Sequence, residues 1–170
     1  MEKTGYVTLL RGINVGGNAV IKMEALRAAL CSLKFTDVKT YIQSGNIIFR
    51  AGETAPAKLA KKIEKKLAEE FGYDIPALVY TVNEYAQIVQ EAPPLFGKEK
   101  EKYRYDVWFL LPPLSAEEVA ASLTTREGVD RLFTGKRACY TTRLVEKLSK
   151  SYFSKVAGLP WYGNLTIRNW

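Results

Sequence analysis

The spacing of apolar residues along the chain alternates between a period of two, typical of strands, and a period of about 3.6, typical of helices. These changes of period predict where each strand and helix lies. In the first half the pattern predicts strands over 6–10, 38–43, 46–50 and 77–82 and helices over 22–33 and 56–71. This β-α-β-β-α-β order is that of the ferredoxin-like fold, a four-stranded antiparallel sheet with both helices on one face. The side chains expected to pack against this sheet are Leu26, Leu30, Ile63, Leu67 and Phe71.

A helix predicted over 83–91 is followed by the same order of elements. The predicted strands are 106–111, 129–133, 137–142 and 165–170, and the predicted helices are 115–123 and 149–157. The fold class is therefore α+β, with two tandem ferredoxin-like subdomains and antiparallel sheets. The predicted boundaries are 1–82 for the first subdomain, 83–103 for a connecting helix and loop, and 104–170 for the second.

The basic character of the chain favours anionic partners without identifying one. The formal net charge is +7 and the sequence pI is about 9.3. Many of the lysines lie on the helix predicted over 56–71, opposite the apolar stripe of Leu59, Ile63 and Leu67. Because no aromatic residues alternate with these lysines to stack on bases, we interpret this face as solvated, and a nucleic-acid partner is disfavoured.

The chain contains no histidine, which excludes several chemistries. A Ser-His-Asp or Cys-His nucleophile system cannot be built, and neither can a histidine-ligated zinc or iron site, so no metal is predicted. A general base would have to be Asp, Glu, Lys, Tyr or Cys, and whether the protein is an enzyme stays open. Cys31 and Cys139 are interpreted as buried free thiols, since two cysteines give no disulfide framework.

The first residues contain no apolar stretch of the kind found in secretory signals. No segment approaches the roughly 18 apolar residues that a membrane-spanning helix needs. We therefore expect a cytoplasmic protein without a membrane partner.

A loop rich in glycine and asparagine connects the first strand to the first helix. Its sequence over 10–18 is L-R-G-I-N-V-G-G-N. Gly12 and Gly17 have the G-x-x-x-x-G spacing of a phosphate loop, but the Lys-Ser/Thr pair that must follow is replaced by Asn18 and Ala19. The remaining features, free backbone N–H groups and a basic strand end, describe a generic anion site. The alternative is a long turn whose glycines only permit the backbone geometry.

A second polar segment, T-Y-I-Q-S-G-N over 40–46, forms the turn of the predicted hairpin. Ser44, Gly45 and Asn46 suit a tight turn, so turn chemistry alone accounts for them. If the segment is functional, it offers hydrogen bonds, because Ser44 has no identifiable base partner for nucleophilic catalysis.

The chain ends on a third motif, T-I-R-N-W over 166–170. The three motifs in this order, L-L-R-G-I-N-V-G-G, T-Y-I-Q-S-G-N and T-x-R-N-W, resemble the bacterial family called domain of unknown function 1697. The resemblance covers the whole chain and implies two ferredoxin-like subdomains, but it implies no catalytic residue and no cofactor. Similar proteins continue past R-N-W with a short segment that often starts Asn-Thr, whereas this sequence ends at Trp170.

Three classes of function stay open at this point. The first is a small-molecule site for a phosphate- or nucleotide-like anion, in a cleft where the three motifs converge. The second is a nucleic-acid binder, which lacks the RRM motif on its strand over 46–50. The third is a non-enzymatic protein-interaction module. The sequence does not predict an oligomeric state. The residues predicted to bind the anion are Arg11, Gly12, Asn14, Gly16, Gly17, Asn18, Ser44, Asn46 and Arg168, while Trp170 is predicted to pack in a core or at the subdomain interface.

Overall fold

A computed structural model describes residues 3–15, 20–52 and 55–170 and divides the chain into two compact units. The first unit extends to Ala86 and the second is Gln87–Trp170. The first has the predicted element order. Its elements are β1 (Thr4–Leu10), α1 (Met23–Ser32), β2 (Thr36–Tyr41), β3 (Asn46–Ala51), α2 (Pro56–Phe71) and β4 (Ala77–Thr81).

The four strands of the first unit form one antiparallel sheet in the order β2-β3-β1-β4. In the central strand, Tyr6 pairs with Phe49 of β3 on one side and with Thr81 of β4 on the other. This is the ferredoxin-like strand order. The predicted fold class is confirmed.

Side chains from α1 and α2 pack with one face of this sheet into a single apolar core. Four of the five predicted core residues, Leu26, Leu30, Ile63 and Leu67, are fully buried. Phe71 is only partly buried against the cluster, because it lies in the last turn of α2. The helix stops there, since Gly72 adopts φ 81°, a left-handed conformation that glycine takes without steric cost.

Strand β2 contains a local irregularity. Its pairing with β3 shifts register between Thr36 and Lys39, which marks a β-bulge. Within it Asp37 adopts φ 54°, and its carboxylate forms an ion pair with Arg50, with 3.4 Å between Oδ2 and Nε.

The division between the units falls within α3 (Val82–Gln90), so the second unit begins with the last residues of this helix. Its strands β5 (Tyr103–Leu110), β6 (Asp130–Thr134), β7 (Ala138–Leu144) and β8 (Leu165–Asn169) form an antiparallel sheet in the order β6-β7-β5-β8. The order matches that of the first sheet. Helix α4 (Ala116–Ser122) begins with a reciprocal capping box formed by Ser115 and Glu118.

The helix predicted over 149–157 is wrong. Three 3₁₀ helices, Val145–Lys150, Tyr152–Gly158 and Pro160–Asn164, occupy this segment instead. Ser151, with ψ 135°, separates the first two, and its hydroxyl donates to the carboxylate of Asp130. Because this bond holds the backbone extended at Ser151, a continuous α-helix cannot pass through it.

The two cysteines have different environments, which corrects the prediction that both are buried. Cys139 is buried in β7, whereas Cys31 is exposed on α1. Cys31 follows Leu30 directly, so a helical rotation of roughly 100° turns it away from the buried stripe.

Burial raises the pKa of the Cys139 thiol to about 12, with a smaller contribution from the carboxylate of Glu117. At pH 8 about one part in ten thousand of this thiol is ionised, and the thiolate is the reactive form. We therefore expect a chromogenic disulfide reagent to titrate one thiol per folded chain rapidly and the second only in denaturant. The variant Cys31→Ser should remove the fast phase, and two fast thiols in the folded protein would contradict the assignment.

Among the helices that the structure describes, none combines the length and the apolar character needed to cross a bilayer.

Candidate functional site

Asn14 joins the two glycine-bearing segments of the first unit. Its side-chain amide donates to the carbonyl of Gln43 at 2.9 Å and to that of Ile21 at 3.1 Å, and its Oδ1 accepts from the Ile21 N–H at 2.7 Å. Asn14 itself adopts φ 54°. One side chain thus ties the loop after β1 to the hairpin turn and to the chain entering α1.

The hairpin turn is fixed to the end of β1 by a second contact. The Leu10 N–H donates to the Gly45 carbonyl at 2.9 Å. Gly45 adopts φ 74°, and a Cβ placed there would lie 2.8 Å from Leu10 Cβ and 3.0 Å from Ile13 Cδ1. Only glycine allows this approach, so the loop and the turn, thirty-one residues apart between Asn14 and Gly45, form one structural unit.

The side chain of Asn46 bonds to two other residues of the turn. Asn46 Nδ2 donates to Ser44 Oγ at 2.8 Å and to the Tyr41 carbonyl at 3.3 Å. These contacts define the conformation of the hairpin. The predicted ligand-binding roles of Asn14, Ser44 and Asn46 stay predictions, and the bonds that the structure describes give all three a positioning role.

Arg11 and Gly12 lie at the start of this loop. The Arg11 N–H donates to the Pro76 carbonyl at 2.9 Å, which anchors the backbone, and its side chain is partly exposed. Gly12 is exposed with φ 76°. The other predicted residues of the loop, Gly16, Gly17 and Asn18, lie outside the described residues.

Arg168 belongs to the second unit, on strand β8 opposite Val107 of β5. Its Nη1 donates to its neighbour's carbonyl, Ile167 O, at 2.9 Å, and lies 3.4 Å from Thr166 Oγ1. The side chain is partly buried. Its proposed convergence with the Gly12 loop stays a prediction.

Trp170 packs within the second unit but is not part of a sealed core. Its ring meets that of Phe96 at 5.2 Å in an edge-to-face arrangement, and 39% of the residue is exposed. A Cβ on Gly97 would lie 2.3 Å from Trp170 Cδ1. The ring therefore uses the bare backbone of Gly97 as its packing surface.

Four exposed apolar side chains lie in the segments that meet at the Asn14 junction, a feature that the sequence interpretation missed. Val15 is 65% exposed, Val20 75%, Tyr41 70% and Ile42 60%. Val15, Val20 and Ile42 are each adjacent in sequence to Asn14, Ile21 or Gln43, the residues joined at the junction. Ile42 also adopts φ 50°, an unusual conformation for a β-branched residue.

The acidic and cysteine side chains of residues 3–15, 20–52 and 55–170 include no group of three that could hold a metal ion.

Comparisons with known proteins agree with this architecture. The model of the family described as "Protein of unknown function (DUF1697)" matches residues 3–140. A solved structure of a conserved bacterial protein from Streptococcus pneumoniae is similar to this chain, with a TM-score of 0.85 and 29% sequence identity. That similarity covers 99% of this chain and 93% of the other. No curated protein matches the sequence.

Proposed function

The chain belongs to the family described as Protein of unknown function (DUF1697), and from the geometry of its first unit we propose that it binds a small phosphate- or nucleotide-like anion. The proposed site is the junction of the loop after β1 with the hairpin turn. Arg11 supplies the charge, and Gly12 supplies exposed backbone. Asn14 joins the two segments, and the bond from Asn46 to Ser44 fixes the conformation of the turn.

The observation that carries this proposal is the joining of two polar turns by the side chain of Asn14. Its amide nitrogen donates to the carbonyls of Gln43 and Ile21, and its amide oxygen accepts from the Ile21 N–H. Each of these carbonyls has a lone pair engaged by the amide, and the Gln43 carbonyl does so at an exposed position. An anion approaching this junction therefore encounters fewer lone pairs, and its binding to Arg11 costs less repulsion.

We expect Arg11→Ala to weaken an anion bound at this junction by roughly ten- to a hundredfold. A charge-assisted hydrogen bond contributes on the order of 1.5–3 kcal/mol, and each 1.4 kcal/mol is about a tenfold change in Kd. The measurement begins with thermal-shift screening against nucleotides and sugar phosphates. Isothermal titration of the strongest hit then compares the wild type with the variant.

Arg50→Ala is the matched control for this experiment. It removes the same charge from the same unit, at the opposite end of β3 from Asn46, where Arg50 pairs with Asp37 in solvent. Equal weakening by both variants would indicate attraction by net charge and would contradict a site at Arg11. Wild-type binding without an effect of Arg11→Ala would contradict it too.

A second candidate, a protein-interaction module, is favoured by the exposed apolar side chains of Val15, Val20, Tyr41 and Ile42. Apolar side chains grouped on a surface mark contact sites more often than scattered ones do. The same screen separates the two candidates. No stabilising anion, together with a mass that rises with concentration in light scattering, would favour the interaction module.

A further inference from the structure

A cavity in the second unit lies between the end of α4 and the second 3₁₀ helix. Its volume is about 390 Å³, within the range of small-molecule sites. Three of the lining side chains are apolar, Leu123, Val156 and Leu159. The polar lining residues are Ser122, Thr124, Tyr152 and Lys155. Among these described lining residues there is no acidic side chain.

Two cations lie close to one aromatic ring at this cavity. Lys155 Nζ lies 5.6 Å from the centre of the Tyr152 ring, and the Arg126 guanidinium carbon lies 4.6 Å from it. Tyr152 and Lys155 are three residues apart in a 3₁₀ helix, where that spacing places side chains on the same edge. Within the described chain, no carboxylate forms an ion pair with either cation.

Donor hydrogens at this ring lack acceptors. Arg126 Nη2 donates to the Tyr152 hydroxyl oxygen at 3.1 Å, so the hydroxyl keeps its own hydrogen, for which the described residues provide no acceptor. Arg126 Nε is buried and has no partner among them either. Ser122, in contrast, is fully engaged, since its hydroxyl donates to Glu118 O at 2.7 Å and accepts from Trp161 Nε1 at 2.9 Å.

The carboxylate of Asp130 fixes the two walls that present these groups. It accepts from the backbone N–H of Arg126 at 3.0 Å and from that of Tyr152 at 2.9 Å, and also from the Ser151 hydroxyl. Asp130 is 5% exposed. Its negative charge is therefore satisfied by neutral donors, and the positive charges of Arg126 and Lys155 stay available to a ligand.

We propose that this cavity binds a small molecule that carries a phosphate or carboxylate group on an apolar body. The anionic group is held by Lys155 and the Tyr152 hydroxyl, with Arg126 behind the ring. The apolar body lies against Leu123, Val156 and Leu159. The site is separate from the anion site proposed in the first unit and includes none of its residues.

The experiment is an amide-resolved NMR titration of the whole chain with phenyl phosphate, repeated with benzoate, phenol and inorganic phosphate. We expect phenyl phosphate or benzoate to shift the amide signals of Leu123, Tyr152 and Val156. Phenol and inorganic phosphate should each bind at least about tenfold more weakly, because each lacks one half of the recognised chemistry. The comparison of phosphate with carboxylate identifies which anionic group is preferred.

Lys155→Met should weaken the stronger probe about tenfold, whereas Lys150→Met, which removes an exposed lysine outside the cavity, should leave its affinity unchanged. Thr124→Trp, at an exposed lining position, should block binding without removing charge.

The proposal is overturned if neither anionic probe shifts these signals at millimolar concentration, if phenol binds equally well, or if the two lysine variants behave alike. Arg11→Ala should not affect this titration, so failure here and failure of the first-unit site are distinguishable.

Discussion

Gly45→Ala should lower the free energy of unfolding by about 3 kcal/mol, since it combines two separate costs. An alanine at φ 74° costs roughly 1–2 kcal/mol in backbone strain. Its Cβ would also lie 2.8 Å from Leu10 Cβ and 3.0 Å from Ile13 Cδ1, and overpacking of this kind costs roughly 1–3 kcal/mol. The turn cannot withdraw without losing the bond from the Leu10 N–H to the Gly45 carbonyl. Urea unfolding of both proteins measures the difference.

Gly72→Ala isolates the first cost. Gly72 has nearly the same φ, 81°, but among the described residues no heavy atom beyond its chain neighbours and its own helix backbone lies within 4 Å of its ideal Cβ. Its free energy of unfolding should therefore fall only by the backbone strain, roughly 1–2 kcal/mol. Equal losses for the two variants would show that Leu10 and Ile13 yield to the new methyl group and that the contact is not tight.

The second large effect is expected for Asp130→Ala, which should lower the free energy of unfolding by about 3–4 kcal/mol. The substitution leaves the N–H groups of Arg126 and Tyr152 and the Ser151 hydroxyl without their acceptor in a buried position. Hydrogen bonds to a charged group contribute roughly 1.5–3 kcal/mol, and buried donors left unpaired cost roughly 1–3 kcal/mol each unless water reaches them. Chemical unfolding followed by tryptophan fluorescence measures the loss.

Asp130→Asn is the matched variant. Its free energy of unfolding should fall by less than half as much as that of Asp130→Ala. Its amide oxygen can accept from both N–H groups, while its NH₂ donates to the Ser151 hydroxyl, which then acts as an acceptor. The amide keeps the shape of the carboxylate and removes only its charge. A loss for asparagine as large as that for alanine would mean that the charge itself, rather than the number of acceptors, stabilises this part of the second unit.

Local patterns in the sequence predicted those parts of the fold that local physics determines. Helix α2 has the predicted bounds because a Pro at its start, an apolar stripe and Gly72 agree with one another. The 3₁₀ segment was missed because apolar residues three apart, such as Phe153 and Val156, suit both helix types over one or two turns. The deciding bond, from Ser151 to Asp130, joins residues twenty-one positions apart and has no local signature.

The candidate sites show the same division. The conformational demands at Gly12 and Gly45 could be predicted, since glycine suits the left-handed backbone that both adopt. The role of Asn14 could not be, because its partner Gln43 is distant in sequence. The pairing of Arg126 with the Tyr152 ring beside the cavity could not be predicted either, because the two residues are twenty-six positions apart. Only the Tyr-x-x-Lys spacing of Tyr152 and Lys155 hinted at the cavity.

The bulge at Asp37 determines how the open side of the first sheet behaves toward other chains. Strand β2 is one of the two edge strands of that sheet, and a flat, regular edge strand is a template for pairing with a strand of another molecule. The register shift and the φ of 54° at Asp37 interrupt the row of backbone donors and acceptors, and charges at Asp37 and Lys39 surround the interruption. The exposed Tyr41 at the end of β2 is therefore not next to a regular edge that another strand could pair with. The protein can expose apolar side chains at the hairpin tip while this edge resists strand-by-strand aggregation.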